Sequence, residues 1–183
     1  KDLKTFGSVD DAEKYLIDVK IDEVLRGNFE SWTSLLKEEI GLGLGYLKPV
    51  MDELVEIYQR RNLFVHNGGV VNSIYISKVN EGLRKNIDVG DQLVVNKNYL
   101  EDSICKLQKA FILIGAELWK KLNPEDEKRG EILGDIVYEN LLHSRWDVCE
   151  GLCYFSINDS QIKPVDKVIA QINNFSFDAT TFE

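Results

Sequence analysis

Arg61, Asn62 and His66 are the residues of this chain whose types and spacing best suit chemistry. They fall in Gln59-Arg60-Arg61-Asn62-Leu63-Phe64-Val65-His66-Asn67-Gly68-Gly69, where an apolar helical pattern runs into a glycine turn. On a helix, Asn62 and His66 share a face, and Arg61 is offset but long enough to reach the same place. A guanidinium can hold two nonbridging oxygens of a phosphodiester through paired hydrogen bonds. An imidazole titrates near neutral pH and can move a proton. Metal-free RNA cleavage needs a proton taken from the 2′-hydroxyl and another delivered to the leaving 5′-oxygen. One imidazole cannot easily serve both sides of the phosphorus, and the second histidine, His143, lies far along the sequence. A symmetric dimer that sets two copies of this helix face to face would supply two imidazoles and two guanidiniums. The chemistry therefore predicts a homodimer. The plainer alternative is that His66 only caps a helix C-terminus against its dipole, with Arg60 and Arg61 solvated.

The elements that must position these groups read as helices. Residues 1–9 are mostly polar and read as a frayed start. Asp10 or Asp11 can cap a helix carrying Tyr15, Leu16, Val19, Val24 and Leu25, which Gly27 stops. Ser31 or Thr33 opens a second with Trp32, Leu35, Leu36 and Ile40, weakened at its end by Gly41, Gly43 and Gly45. Pro49 fits the first turn of a third, along which Val50, Leu54, Ile57, Arg61 and Phe64 or Val65 recur at helical spacing. Asn67-Gly68-Gly69 is a strong stop, and a short apolar segment, Val70 to Val79, follows. Glu81 to Lys97 reads as a loop or small hairpin, with Gly90-Asp91 as a turn and Gln92 to Val95 β-prone. A long helix runs from about Asn98 to Leu122. Asn123-Pro124 then reads as the start of a helix pair, about 124–143 and 145–156, with a further helix near 164–173 and a loose Phe- and Thr-containing end. The expectation is an all-α chain with a domain at 10–122 and a helical extension at 124–183, possible start of a helical-repeat region.

Composition narrows the class. Of 183 residues, 44% are hydrophobic and 29% charged, which suits a globular protein with an ordinary core. No apolar run is long enough to span a bilayer and nothing resembles a signal peptide, so a cytoplasmic, membrane-free chain is expected. Lys1 rather than Met opens the sequence, so it reads as a piece of a longer polypeptide with further domains. The net charge of −9 argues against a broad nonspecific nucleic-acid surface. Between Arg60 and Lys97, however, six basic residues face three acidic ones, a net +3 that leaves −12 for the rest. The opening motif thus lies in a net-positive region of an acidic protein.

Other candidates are weaker. Cys105, Cys149 and Cys153, with only His143 nearby, do not make a zinc set and read as free, mostly buried thiols. Gly41-x-Gly43-x-Gly45 has no preceding strand and is a poor phosphate loop. Glu53 with Glu56, and Glu38 with Glu39, read as solvated helix faces rather than acid–base pairs. His143-Ser144-Arg145 reads as a helix junction, and Trp32, Trp119 and Trp146 as packing groups.

Arg61-Asn62-Leu63-Phe64-Val65-His66 resembles the R-x4-6-H signature of the HEPN superfamily, including the polar residue that commonly follows the arginine. The surrounding Gln59-Arg60-Arg61-Asn62 and Val65-His66-Asn67-Gly68-Gly69-Val70-Val71-Asn72 are similar to a recurrent bacterial version of it, and the likeness covers roughly residues 10 to 122. The resemblance implies an antiparallel helical bundle that dimerises through the motif helices. It also implies metal-independent endoribonuclease activity without a cofactor, often in phage defence or toxin systems. Arg61 and His66 would be the catalytic pair, Asn62 the polar helper, and Arg60 an alternative arginine one residue further from His66. Arg60, Asn67, Lys78, Arg84 and Lys85 would meet the RNA, with the Glu81 to Lys97 loop as its approach edge. Some members of the superfamily only bind nucleotides or serve as dimerisation scaffolds, and those remain the alternatives.

Overall fold

The computed structural model describes residues 6–180 of the chain. Of the expected frayed start at 1–9, residues 1–5 lie outside them, while Ser8 and Val9 instead cap and open the first helix. Of the expected loose end after about 173, residues up to Thr180 are helical and the rest lie outside. Among the described residues there are eight α-helices and no β-strand, in keeping with the all-α expectation. No helix is long and apolar enough to cross a membrane. The chain divides into two compact units, 1–41 and 42–183. The expected limit near 123 falls inside the second unit, where helices on either side of it pack together.

In the first unit, α1 spans Val9–Leu25 and α2 spans Phe29–Glu38. Ser8, not Asp10 or Asp11, caps α1: its side chain accepts from Asp11 N at 3.1 Å. The aspartates instead fill the acidic first turn, where the helix dipole favours them. Asn28 caps α2 at 2.9 Å from Ser31 N, and the Ser31 hydroxyl receives the Asn28 N–H at 2.8 Å. Ser31 is thus the reciprocal partner of a capping box rather than the cap. The Trp32 indole N–H donates to the Val24 carbonyl and ties α2 back to α1. A Cβ on Gly27 would lie 2.9 Å from that carbonyl, which is why the tight corner takes glycine.

The second unit begins with a 3-10 turn, Gly45–Val50, that contains Pro49 and buries Leu47. Pro49 therefore precedes α3, Met51–Asn67, instead of occupying its first turn. Next come α4 at Ser73–Lys78, a second 3-10 turn at Glu81–Leu83, and α5 at Lys97–Leu122. Helices α6, Arg129–Leu142, α7, Trp146–Asn158, and α8, Pro164–Thr180, complete the unit. The apolar segment after the motif is thus partly helical, with Asn72 Oδ1 capping it from Tyr75 N at 2.9 Å. The expected hairpin is reduced to one antiparallel bridge, Val70 with Gln92. Around it, Val71 N–H donates to Asp91 O at 2.8 Å and Leu93 N–H to Gly69 O at 3.0 Å. The β-prone stretch pairs with the chain just after α3, not with itself.

Apolar clusters of described residues hold this unit. Leu63, Val71, Tyr75, Val79 and Leu93 close the chain around the end of α3. A larger cluster joins α5 (Leu113, Ala116), α6 (Leu133, Val137) and α7 (Cys149, Leu152, Cys153). Both α7 cysteines are free and buried, as expected, and burial pushes the Cys153 thiol up to about 11.

The start of α6 departs from expectation. Asn123-Pro124 does not open it; the helix begins five residues after Pro124, at Arg129. The Arg129 guanidinium is buried and donates to Asp159 Oδ2 at 2.8 Å, Asn123 O at 2.8 Å and Pro124 O at 3.2 Å. The carbonyls just beyond α5 are thus satisfied by a side chain from the next helix.

Candidate functional site

The C-terminal turns of α3 carry the motif, and their ending is well specified. Gly68 and Gly69 adopt φ of +59° and +83°, the left-handed region. Gly68 N–H closes on Leu63 O, and Gly69 N–H reaches the same oxygen at 3.0 Å, so the left-handed glycines turn the chain back over the last helical turn. Asn67 Nδ2 donates to Val70 O at 2.6 Å, and Gln92 Nε2 to Gly68 O at 2.9 Å. A Cβ on Gly69 would come within 3.0 Å of the Phe64 ring, so the turn is closed tightly over the helix. His66 therefore stands on a fixed turn rather than on a frayed end.

Arg61 Nη1 donates to Asn62 Oδ1 at 3.1 Å, an orienting contact between the expected arginine and its polar neighbour. Arg61 and His66 are exposed, and Asn62 is half-buried. Neither Arg61 nor His66 makes an ion pair with a carboxylate among the described residues. His66 lies one turn beyond Asn62, but the Arg61–Asn62 contact does not extend to it within one chain. What the helix end presents is a guanidinium and an imidazole with no carboxylate partner among the described residues, beside exposed Phe64 and Val65.

Arg60 has a different fate. Its Nε donates to Glu56 Oε1 at 2.6 Å, its Nη1 to Val94 O at 3.3 Å, and its guanidinium lies 4.3 Å from the centre of the Tyr99 ring. Glu56 is not a solvated face: it is 6% exposed and accepts from three side chains. Besides Arg60, these are Tyr75 at 2.7 Å and Tyr99 at 2.8 Å. Burial and the adjoining carboxylate push the Tyr75 hydroxyl up to about 12 and raise that of Tyr99 further. Both phenols are therefore held as neutral donors, and the buried Glu56 charge is paired and hydrogen-bonded as such charges must be. This knot joins α3, α4, α5 and the strand-like edge at Val94 directly behind the motif. Arg60 is thereby committed to the scaffold, which separates it from the substrate-facing role open to it in the sequence. Glu53 is likewise engaged, by Lys106 of α5.

The remaining expected contacts are divided. Arg84 Nε donates to Val79 O at 3.1 Å and braces its own loop. Lys78, the last residue of α4, and Lys85, on that loop, are exposed. The Glu56, Tyr75 and Tyr99 knot went unseen in the sequence; the one local signal for it is Glu56 four residues before Arg60, the spacing of a helical ion pair.

Fold and site together describe an all-α protein with an Arg–Asn–His helix end backed by a buried carboxylate knot. No family model matches the chain, and neither does any curated protein or solved structure.

Proposed function

We propose that this chain is a metal-independent endoribonuclease of HEPN type, whose active site is completed when two copies bring their α3 ends together. The observation that carries the reading is the division of labour between adjacent arginines. Arg60 is neutralised by Glu56, while Arg61, beside Asn62, and His66 are exposed and have no carboxylate partner among the described residues. A guanidinium already paired with a carboxylate is poorly placed to take phosphate; an unpaired one is ready for it.

In the proposed reaction the His66 of one copy takes the proton of an RNA 2′-hydroxyl. The 2′-oxygen forms a bond to phosphorus, and the bond to the 5′-oxygen breaks. The His66 of the other copy returns a proton to that leaving oxygen. The products are a 2′,3′-cyclic phosphate and a 5′-hydroxyl end. Arg61 stabilises the charge on the pentacoordinate phosphate, and Asn62 holds the guanidinium in place. Lys78 and Lys85 line the approach of the RNA. A defence or toxin role in the cytoplasm is the setting in which such an enzyme fits.

The test is incubation of the purified chain with total RNA in EDTA, beside His66→Ala and Arg61→Ala. Cleavage by the wild-type chain alone is expected. Intact RNA in every lane, with dimers present, would instead favour a scaffold that only associates through α3, a reading to which exposed Phe64 and Val65 lend support. Saturable mononucleotide binding without cleavage would favour a nucleotide sensor.

A further inference from the structure

Away from the motif, α6 and α8 both pack on α7 and leave a groove of about 370 Å³ between them. Its shape follows from two glycines on α6. A Cβ on Gly130 would lie 3.1 Å from Asp166 Cγ, so α8 closes on α6 at that end. One turn on, a Cβ on Gly134 would meet nothing within 4 Å, so the groove opens. Its floor is apolar, formed by buried Val137 and Cys153. Its walls are Tyr138, 61% exposed, and Ile169, 49% exposed. Exposed Val165 and Val168 continue the apolar wall along α8.

The rim is acidic. Glu131, Asp135 and Asp166 border the groove, and none is paired with a basic group among the described residues. The imbalance extends through the surrounding chain, where residues 123–183 hold twelve acidic and five basic side chains. An apolar trough between two helices takes a third helix, whose apolar residues at i, i+3, i+4 and i+7 fill it. Unpaired carboxylates along the edge select the sign of that helix's flanks.

We propose that the α6–α8 groove is a docking site for a basic amphipathic helix of a partner protein. The proposal does not depend on the nuclease reading, since none of its residues belongs to the α3 site. The probe is a fluorescein-labelled peptide of about 18 residues, roughly five helical turns, with leucine at i, i+3, i+4 and i+7 and lysine on both flanks. The control replaces every lysine by glutamate. Fluorescence anisotropy with the full chain is expected to show saturable binding of the lysine peptide. Binding of the glutamate peptide should be weaker by about tenfold or more. Gly134→Trp, which fills the open part of the groove, and the triple change Glu131→Gln, Asp135→Asn, Asp166→Asn should each weaken binding by about tenfold, with circular dichroism unchanged. Should Gly134→Trp not fold, Ile169→Lys on the exposed wall asks the same question. Absence of saturable binding, equal binding of both peptides, or binding indifferent to every groove variant would overturn the proposal. So would sedimentation showing a wild-type oligomer that the groove variants dissociate, because the groove would then be a contact between copies of this chain.

Discussion

Near the end of α3, Arg61 and His66 are exposed and have no carboxylate partner among the described residues, and Arg61 donates to Asn62. In the α6–α8 group, Arg129 is 1% exposed, and its guanidinium reaches one carboxylate and two carbonyls. Both regions place an arginine within two turns of a helix end. In the second, each of the three guanidinium nitrogens donates to an acceptor inside the fold, and the arginine is a structural fastener. In the first, the structural duty falls to the neighbour, Arg60, and the Arg61 guanidinium beside it meets no carboxylate among the described residues. Site and scaffold differ here in whether the fold supplies the anion.

The largest expected effect lies on the scaffold side. Arg129→Ala strands the Asp159 carboxylate, which is 0% exposed, and frees the carbonyls of Asn123 and Pro124. Breaking a buried ion pair from one side costs about 3–5 kcal/mol, which urea denaturation would read directly. Replacing both partners with apolar groups of similar size, Arg129→Met with Asp159→Leu, should recover much of that loss. A midpoint that stays unchanged in Arg129→Ala would erase the contrast between the two regions.

On the site side the sign reverses. His66→Ala should leave the urea midpoint where it is and reduce RNA cleavage by about 10²–10⁴-fold, the usual worth of a positioned acid–base group. Wild-type activity at low protein concentration should rise more steeply than linearly, since the proposed site needs two copies. Strictly linear dependence down to concentrations where sedimentation shows only monomer would remove the composite site.

Adjacent substitutions sharpen the comparison within one helical turn. Arg61→Ala should abolish cleavage without altering stability. Glu56→Gln should do the converse in large part, lowering stability by about 1–3 kcal/mol because Arg60, Tyr75 and Tyr99 lose the carboxylate that unites them. If both variants lose stability equally, Arg61 is a fastener too and the site has no free cation.

This contrast also marks what the chain discloses by itself. The long helices and the Gly68-Gly69 stop follow from local periodicity and backbone freedom, and α3 and α5 lie within a few residues of where the pattern places them. The Arg–Asn–His spacing is likewise local. What escaped is nonlocal. Glu56 meets Tyr75 and Tyr99 across 19 and 43 residues, and Arg129 meets Asp159 across 30. No periodicity announces such pairs, and a buried glutamate looks like any other helical glutamate until its partners arrive. Asn123-Pro124 has the residue types of a helix start, yet the start is displaced because Arg129 consumes the carbonyls there. Ser8 and Asn28 show the same ambiguity at short range, where several residues could cap and the backbone selects one.

The smallest expected effect concerns the thiols. Cys149 and Cys153 are buried between α6 and α7, and desolvation raises both, Cys153 to about 11. The nucleophile is the thiolate, so at pH 8 neither should react appreciably with iodoacetamide in the folded chain. Cys105, half-buried on α5, should be labelled first. Mass spectrometry of briefly labelled protein would then show one adduct, with two more appearing in urea. For Cys149 and Cys153 the two barriers, access and charge, act in the same direction. A second adduct under native conditions would mean that the α6–α7 packing opens readily, and that the scaffold is looser than the knot around Arg129 requires.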